Sequence, residues 1–252
     1  MEYVRLGKSN LLISRVAFGS MRLSDKDSED AALLVHKAYE AGINFFDTSR
    51  NTPDSEKLLG DALYDIRKNV ILSTSSASKT AAEIRSDLEE SLMTLHCDFV
   101  DLFQFETEKF VPLNNCADKI YDTLSELKKQ GKIKHIGLVT KEYETAVKAV
   151  KSGLYETIQF PFNMITPDEY LDLIKLCEEN DVGFIAMQPL CGGVIANIPL
   201  AFGFLHQFES VVPLWGATTA EEMDQILYFN EHPPVIDEQF KADVEQAKNF
   251  FN

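Results

Sequence analysis

Eight short runs of β-branched and aromatic residues recur along this chain at nearly constant spacing, and this regularity restricts the fold more than any other feature. Successive runs start 24 to 34 residues apart. They begin at residues 15, 44, 70, 99, 133, 157, 183 and 210. Between them, apolar residues recur at helical spacing. One strand, one helix and two short loops fill such an interval, so the pattern predicts repeated βαβ units with a parallel sheet.

Eight units of this kind predict a (β/α)8 TIM barrel, an α/β fold that typically takes about 250 residues. With 252 residues, the chain is expected to form one domain over residues 1–252. An open doubly wound sheet is the alternative, but it usually carries a glycine-rich first turn, and no GxGxxG motif follows any predicted strand. The sequence therefore favours the closed barrel.

The ends of the predicted barrel carry two additions. Residues 3–5 and 11–13 flank the turn Gly7-Lys8-Ser9-Asn10 and predict a β-hairpin that plugs the barrel bottom. Residues 236–252 predict an extra amphipathic helix. Within the barrel, Thr80 with Glu83 forms a capping-box pattern that predicts the start of a helix.

Composition limits the partners. The chain has 24 Lys+Arg against 40 Asp+Glu, a net charge of −16, which argues against nucleic acid because such binding needs a basic face. No apolar stretch reaches the roughly 18 residues of a membrane span, and the first residues do not resemble a signal peptide, so we expect a cytoplasmic protein. The four cysteines form no CxxC pair and no Cys/His cluster at metal-ligand spacing, so no metal site is expected.

Six motifs follow one another in an order known from one family. They are VAFGSM, GINFFDTS with SEKLLGDAL, SLMTLHCDFVDLFQFE, GKIKHIGL, QFPFN and the QPLCGG turn. On these motifs the chain resembles the aldo-keto reductase family over essentially its whole length. The short loop after the seventh strand and the PLxGG turn are similar to bacterial members. The resemblance implies an active site at the carboxyl ends of the barrel strands.

The resemblance also implies a reaction and its catalytic residues. Members reduce carbonyl groups with NADPH; a tyrosine donates the proton, a lysine and an aspartate adjust its acidity, and a histidine orients the substrate. The aspartate corresponds to Asp47. At the tyrosine, lysine and histidine positions this sequence has Thr52, Ser75 and Glu106. A threonine hydroxyl is far too weak an acid for this role, so we expect standard carbonyl reduction to be weak or lost.

The positions that the resemblance assigns to the nicotinamide are partly kept. Gln159, Asn163 and Met187 remain, whereas Val139-Thr140 replaces a Ser-Asn pair. NADP or NAD is therefore the cofactor implied by the resemblance, with weakened binding.

After the eighth strand, where the family binds the adenine and the 2′-phosphate, the sequence offers Gly216, Thr218 and Thr219. Thr218 and Thr219 could help to bind a phosphate or could simply cap the next helix. Glu222 stands at the expected arginine position and would repel a phosphate. Residues 205–252 hold nine acidic residues against two lysines, so the negative charge extends over the whole region.

Three functional hypotheses remain open from the sequence. The first is an aldo-keto-reductase-like barrel without standard carbonyl reduction, whose mouth binds a small molecule. The second is a divergent NAD(P)H oxidoreductase in which Glu106 and Asp47 form an acid/base pair, one pKa being raised by desolvation and like charge. The third is a non-catalytic regulatory subunit with an unidentified protein partner.

Overall fold

The computed structural model describes residues 1–251, and the strands of this part of the chain form a hairpin and a closed eight-stranded parallel barrel. The hairpin pairs β1 (Tyr3–Arg5) with β2 (Leu12–Ser14) in antiparallel fashion. The barrel strands are β3 (Ala17–Gly19), β4 (Phe45–Asp47), β5 (Ile71–Ser76), β6 (Val100–Glu106), β7 (Ile133–Val139), β8 (Thr157–Pro161), β9 (Gly183–Met187) and β10 (Val211–Trp215). They follow one another in chain order, and β10 closes the barrel on β3. The predicted barrel and hairpin are confirmed.

Each barrel strand is followed by a helix, and a further helix comes after the eighth unit. The helices are α1 (Ser28–Glu40), α2 (Pro53–Leu63), α3 (Ala81–Thr94), α4 (Ile120–Lys129), α5 (Tyr143–Ser152), α6 (Tyr170–Glu179), α7 (Ile198–His206), α8 (Ala220–Glu231) and α9 (Glu238–Phe251). Short 3-10 turns lie at Gly7–Ser9, Leu23–Asp25, Tyr64–Asn69 and Cys191–Gly193. Within residues 1–251, no helix combines the length and apolarity needed to cross a membrane.

The helix starts follow local side-chain chemistry. Asp27 caps α1, because its carboxylate accepts the backbone N–H groups of Glu29 and Asp30. At α3, Thr80 Oγ1 accepts the N–H of Glu83 at 3.3 Å and donates to the Glu83 carboxylate at 2.8 Å, which confirms the predicted capping-box pair.

The hairpin closes the amino-terminal end of the barrel with apolar side chains. Leu6 and Ile13 are buried and belong to one cluster with interior barrel residues such as Phe45, Leu102 and Ile185. The fit is close, since a Cβ added to Gly183 would lie 2.6 Å from the Leu6 side chain. The predicted plug is therefore present, and the opposite end of the barrel forms its mouth.

Alternation along β6 decides which side chains reach the mouth. Phe103 and Phe105 belong to the large core cluster that also contains the helix residues, whereas Leu102 belongs to the interior cluster. Because successive side chains of a strand point to opposite faces, Gln104 and Glu106 follow Leu102 on the inner face. Glu106 thus lies at the mouth, one layer above Gln104.

Candidate functional site

Asp47 ends β4 inside the barrel and is 6% exposed. Amide groups from β6 and β8 approach its carboxyl group: Gln104 Nε2 lies 3.3 Å from Oδ1, and Gln159 Nε2 lies 3.3 Å from Oδ2. Gln104 Nε2 is also 2.6 Å from Gln159 Oε1 and 3.2 Å from Ser73 Oγ. Since β4, β6 and β8 are not neighbouring strands, these contacts cross the barrel interior. We call Asp47, Ser73, Gln104 and Gln159 the interior polar network.

The acidity of Asp47 is changed mainly by its burial. Burial raises the pKa of Asp47 to about 7, against the opposing effect of hydrogen bonds from Ser73, Gln159 and Gln104. The negative charge of Glu106 adds a smaller upward contribution to the same pKa. Desolvation thus contributes more to the raised pKa of Asp47 than the like charge of Glu106 does.

Thr52, Ser75 and Glu106, the residues predicted at three catalytic positions, lie around the mouth without forming one connected group. Thr52 precedes α2, and its hydroxyl donates to the Ser49 carbonyl at 3.2 Å. Ser75 is buried on β5 and 5% exposed. Glu106 is partly buried, and its Oε2 accepts the side-chain amide of Asn51 at 2.7 Å. In the described chain, no hydrogen bond links Thr52, Ser75 or Glu106 to Asp47.

A lysine stands at the rim of the mouth near Glu106. Lys79 Nζ donates to the Glu106 backbone carbonyl at 2.9 Å and lies 5.0 Å from the centre of the Phe105 ring. Burial lowers the pKa of Lys79, while the charges of Glu106 and Glu108 act in the opposite direction. Across residues 1–251, no hydrogen bond joins this ammonium, or any other cationic group, to the Asp47 carboxylate. Lys79 therefore does not replace the family lysine in this geometry.

The arginine closest in sequence to Asp47 is committed to another carboxylate. Arg50 Nη1 lies 2.5 Å from the fully buried Glu56 carboxylate, which also accepts the Thr74 hydroxyl at 2.8 Å. This buried pair fixes the start of α2 against β5. A buried charge needs such a partner, so the guanidinium is used for structure.

Gln104, which completes the interior polar network, was missed among the predicted site residues. Its signal in the sequence is its place two residues before Glu106 in LFQFE, which puts both side chains on one face of β6. A glutamine between apolar neighbours on a barrel strand needs hydrogen-bond partners inside the barrel.

The residues assigned to the nicotinamide are engaged within the chain. Gln159 is part of the interior polar network, and the Asn163 side chain donates to the Gln188 carbonyl at 3.0 Å and accepts the Ile165 N–H at 3.1 Å. Met187 ends β9 and is partly buried. Each of these two amide nitrogens thus uses one of its two donors within the chain.

The turn before α8 is occupied by a carboxylate of the chain itself. The Thr218 N–H and the Thr218 hydroxyl each lie 2.7 Å from Glu222 Oε2, and Thr219 Oγ1 accepts the Glu222 N–H at 3.1 Å. Gly216 is partly exposed just before this turn. Burial acts to raise the pKa of Glu222, but hydrogen bonds from Thr218 and the charge of Arg22 outweigh it and lower this pKa. Thr219 is therefore a helix cap, and Glu222 is an anion at neutral pH.

These observations test the fit of the cofactor that the resemblance implies. A dinucleotide phosphate would need the Thr218 donors that Glu222 uses, and a nicotinamide carboxamide would need Gln159 and Asn163, each of which already donates one hydrogen bond within the chain. The residues present do not fit the dinucleotide. Among the described residues, no group of three or more His, Cys, Asp or Glu side chains could hold a metal ion.

Comparison with known proteins gives the same family from sequence. The profile described as "Aldo/keto reductase family" matches residues 15–199. An uncharacterized oxidoreductase of Bacillus subtilis is 27% identical, over 79% of this chain and 68% of its own length. L-galactose dehydrogenase of Arabidopsis thaliana is 28% identical, over 78% of this chain and 68% of its own length.

Solved structures share the fold. The holo form of an aldo-keto reductase from Bacillus halodurans matches with a TM-score of 0.85 and 20% identity, covering 98% of this chain and 96% of that one. An aldo-keto reductase from Klebsiella pneumoniae in complex with NADPH matches with a TM-score of 0.85 and 16% identity, covering 98% of this chain and 95% of that one. These likenesses show a common barrel architecture.

Proposed function

Because the chain belongs to the aldo/keto reductase family, we propose that it is a member in which standard NAD(P)H-dependent carbonyl reduction is weak or lost and whose barrel mouth binds a small molecule. The interior polar network carries this proposal. In it, the Asp47 carboxyl group is held by two neutral amides and a hydroxyl, where the family reaction needs an ammonium. The family aspartate is therefore present without the partner through which it acts.

The replacement removes the proton donor as well as its activator. A tyrosine becomes a useful acid near neutral pH when a neighbouring cation lowers its pKa. Here Thr52 supplies an aliphatic hydroxyl that is bonded to the Ser49 carbonyl, and Ser75 supplies no charge. Loss of general acid catalysis reduces rates by about 10²- to 10⁴-fold.

Cofactor oxidation with a panel of aldehydes and ketones tests this proposal. With NADPH or NADH, we expect kcat/KM at least about 100-fold below that of an aldo-keto reductase with intact tyrosine and lysine, assayed in parallel. The double variant Thr52→Tyr, Ser75→Lys should stay inactive, because Glu222 still occupies the turn before α8. Wild-type turnover equal to that of the parallel enzyme would contradict the proposal.

Binding at the mouth has its own measurement. The same aldehydes and ketones, and the alcohols derived from them, should include compounds that raise the melting temperature of the protein. The rise should disappear in Ser75→Phe, which fills the mouth beside Asp47, and persist in the exposed-surface variant Lys148→Phe. No shift with any compound of the panel would contradict small-molecule binding of this class.

A second candidate is a divergent oxidoreductase in which Asp47 is the acid. The observation that favours it is the pKa of Asp47, about 7, which leaves a protonated carboxyl group available near neutral pH. Any turnover should then fall as pH rises through 7, and Asp47→Asn should abolish it without loss of folding. Turnover that is independent of Asp47 would exclude this candidate.

A further inference from the structure

The geometry points to Glu222 as the residue that closes the amino-terminal turn of α8 to phosphate, so that this barrel selects ligands carrying no phosphate group at that end of the mouth. The closure stands on the contacts of Glu222 and does not depend on whether the mouth has lost carbonyl reduction.

The first step is the hydrogen-bond pattern of the turn. A helix amino terminus attracts anions because its first N–H groups have no partner within the helix. Here Glu222 Oε2 accepts both the N–H and the hydroxyl of Thr218, each at 2.7 Å, while Thr219 caps the N–H of Glu222 at 3.1 Å. One carboxylate oxygen thus takes the position in which a phosphate oxygen would meet the Thr218 donors.

The second step is charge. The hydrogen bonds from Thr218 favour the ionised form of Glu222, so its negative charge is present at neutral pH. The exposed Glu221 lies on the same helix, whereas Asp224 is paired with Lys37 at 2.7 Å and the nearby Arg22 side chain lies 3.8 Å from Asp25. An entering phosphate would therefore compete with the Glu222 carboxylate for the Thr218 donors and be repelled by its charge.

The third step is chemical class. A neutral group that accepts no hydrogen bond from Thr218 is not opposed by Glu222, whereas a phosphate monoester is opposed by both geometry and charge. The pair adenosine and adenosine 2′-monophosphate isolates this difference, because the two compounds differ only in the phosphate. The wild-type protein is therefore expected to bind adenosine 2′-monophosphate no more tightly than adenosine.

Calorimetric titration of both compounds with the full chain tests the closure. In Glu222→Ala, the Thr218 donors are released, and affinity for adenosine 2′-monophosphate should exceed affinity for adenosine by at least about tenfold, as for a gained hydrogen bond to a charged group. Glu221→Ala is the matched control: it removes the same charge from the neighbouring exposed position and should behave like the wild type. Glu222→Gln keeps the side-chain length but removes the charge, so it should increase the affinity for adenosine 2′-monophosphate, relative to adenosine, by less than Glu222→Ala does.

Two results would overturn the inference. One is wild-type protein that already prefers adenosine 2′-monophosphate tenfold over adenosine. The other is that Glu222→Ala and Glu222→Gln increase the affinity for adenosine 2′-monophosphate, relative to adenosine, no more than Glu221→Ala does. The residue that closes the turn would then not be Glu222. Both results are binding affinities and neither depends on carbonyl reduction. This inference and the proposed function can therefore fail independently of each other.

Discussion

Asp47 illustrates how the environment of a single carboxyl group decides what it can do. Beside an ammonium, a buried carboxylate stays charged and fixes its partner. Between two neutral amides, the same group is stabilised only by dipoles, and burial favours its protonated form. Placed between neutral amides instead of beside a cation, Asp47 thus has the reverse acid–base preference.

This reversal predicts how Asp47 links stability to pH. Its pKa in the folded protein is about 7, raised from 3.8, so the stability that the group contributes is fully present below about pH 4 and is lost as pH rises through 7. A shift of this size corresponds to on the order of 4 kcal/mol. Asp47→Asn should therefore gain stability over the wild type between about pH 4 and pH 8, measured by urea unfolding at each pH.

The exposed Asp98 provides the comparison. Asp98→Asn removes the same carboxylate from an exposed position, and the effect that it produces is subtracted from that of Asp47→Asn. If the difference between wild type and Asp47→Asn were constant over this pH range, Asp47 would titrate alike in both states and its burial would not control its acidity.

For single residues, the sequence predicted where a side chain lies in the barrel better than it predicted which groups surround that side chain. The FFDTS motif placed Asp47 at a strand end, and strand alternation explains why Gln104 shares a face with Glu106. The contact between Gln104 and Gln159 joins β6 to β8 across the barrel. This contact forms only when the whole sheet closes into a barrel, and no local sequence pattern predicts which side chains then meet.

The hairpin shows how one element completes the interior of the barrel. β1 and β2 pair only with each other, yet Leu6 and Ile13 project into the interior cluster beneath the polar network. The backbone of Gly183 leaves room for Leu6, since a Cβ there would come within 2.6 Å of its side chain. The hairpin therefore packs closely against Gly183, the first residue of β9.

Truncating the plug should therefore destabilise the whole barrel. Leu6→Ala leaves a cavity at the barrel bottom and should lower the free energy of unfolding by about 2–5 kcal/mol, measured by urea denaturation. Leu12→Ala, at a side chain that is 61% exposed on the same hairpin, should change it by less than about 0.5 kcal/mol. Equal effects of the two substitutions would mean that the hairpin stabilises the barrel through its backbone alone.

Strands and helices were predictable because each follows a local period, and their order then follows from the (β/α)8 pattern. Helix caps were predictable where the signal is a pair at fixed spacing, as for Thr80 and Glu83. The reach of Glu222 back to Thr218 depends on the angle at which the chain leaves β10. The sequence indicated the negative charge there but not its hydrogen bonds.

Charge is unevenly distributed over the whole molecule. Residues 119–153 contain eight lysines and four acidic residues, a net charge of +4, so the rest of the chain carries −20. Part of this positive charge is used at the barrel bottom, where Lys128 lies 2.6 Å and His135 Nδ1 2.7 Å from the Glu156 carboxylate. This cluster ties α4 and β7 to the start of β8.

The opposite shifts of Glu156 and Asp47 predict a stability maximum on the acid side of neutrality. Burial acts to raise the pKa of Glu156, but hydrogen bonds from His135 and Lys128 outweigh it and lower this pKa to about 2. Its contribution, roughly 3 kcal/mol, is therefore present above about pH 4.5 and lost as pH falls towards 2. The contribution of Asp47 is lost as pH rises through 7. Unfolding free energies measured in urea should peak near pH 4, because the contribution of Asp47 starts to fall above the unfolded pKa of 3.8 while that of Glu156 is complete only near pH 4.5. Glu156→Gln should reduce the fall of the unfolding free energy towards low pH. Asp47→Asn should reduce its fall towards high pH. A maximum at pH 8 or above would show that neither group governs the stability of the barrel.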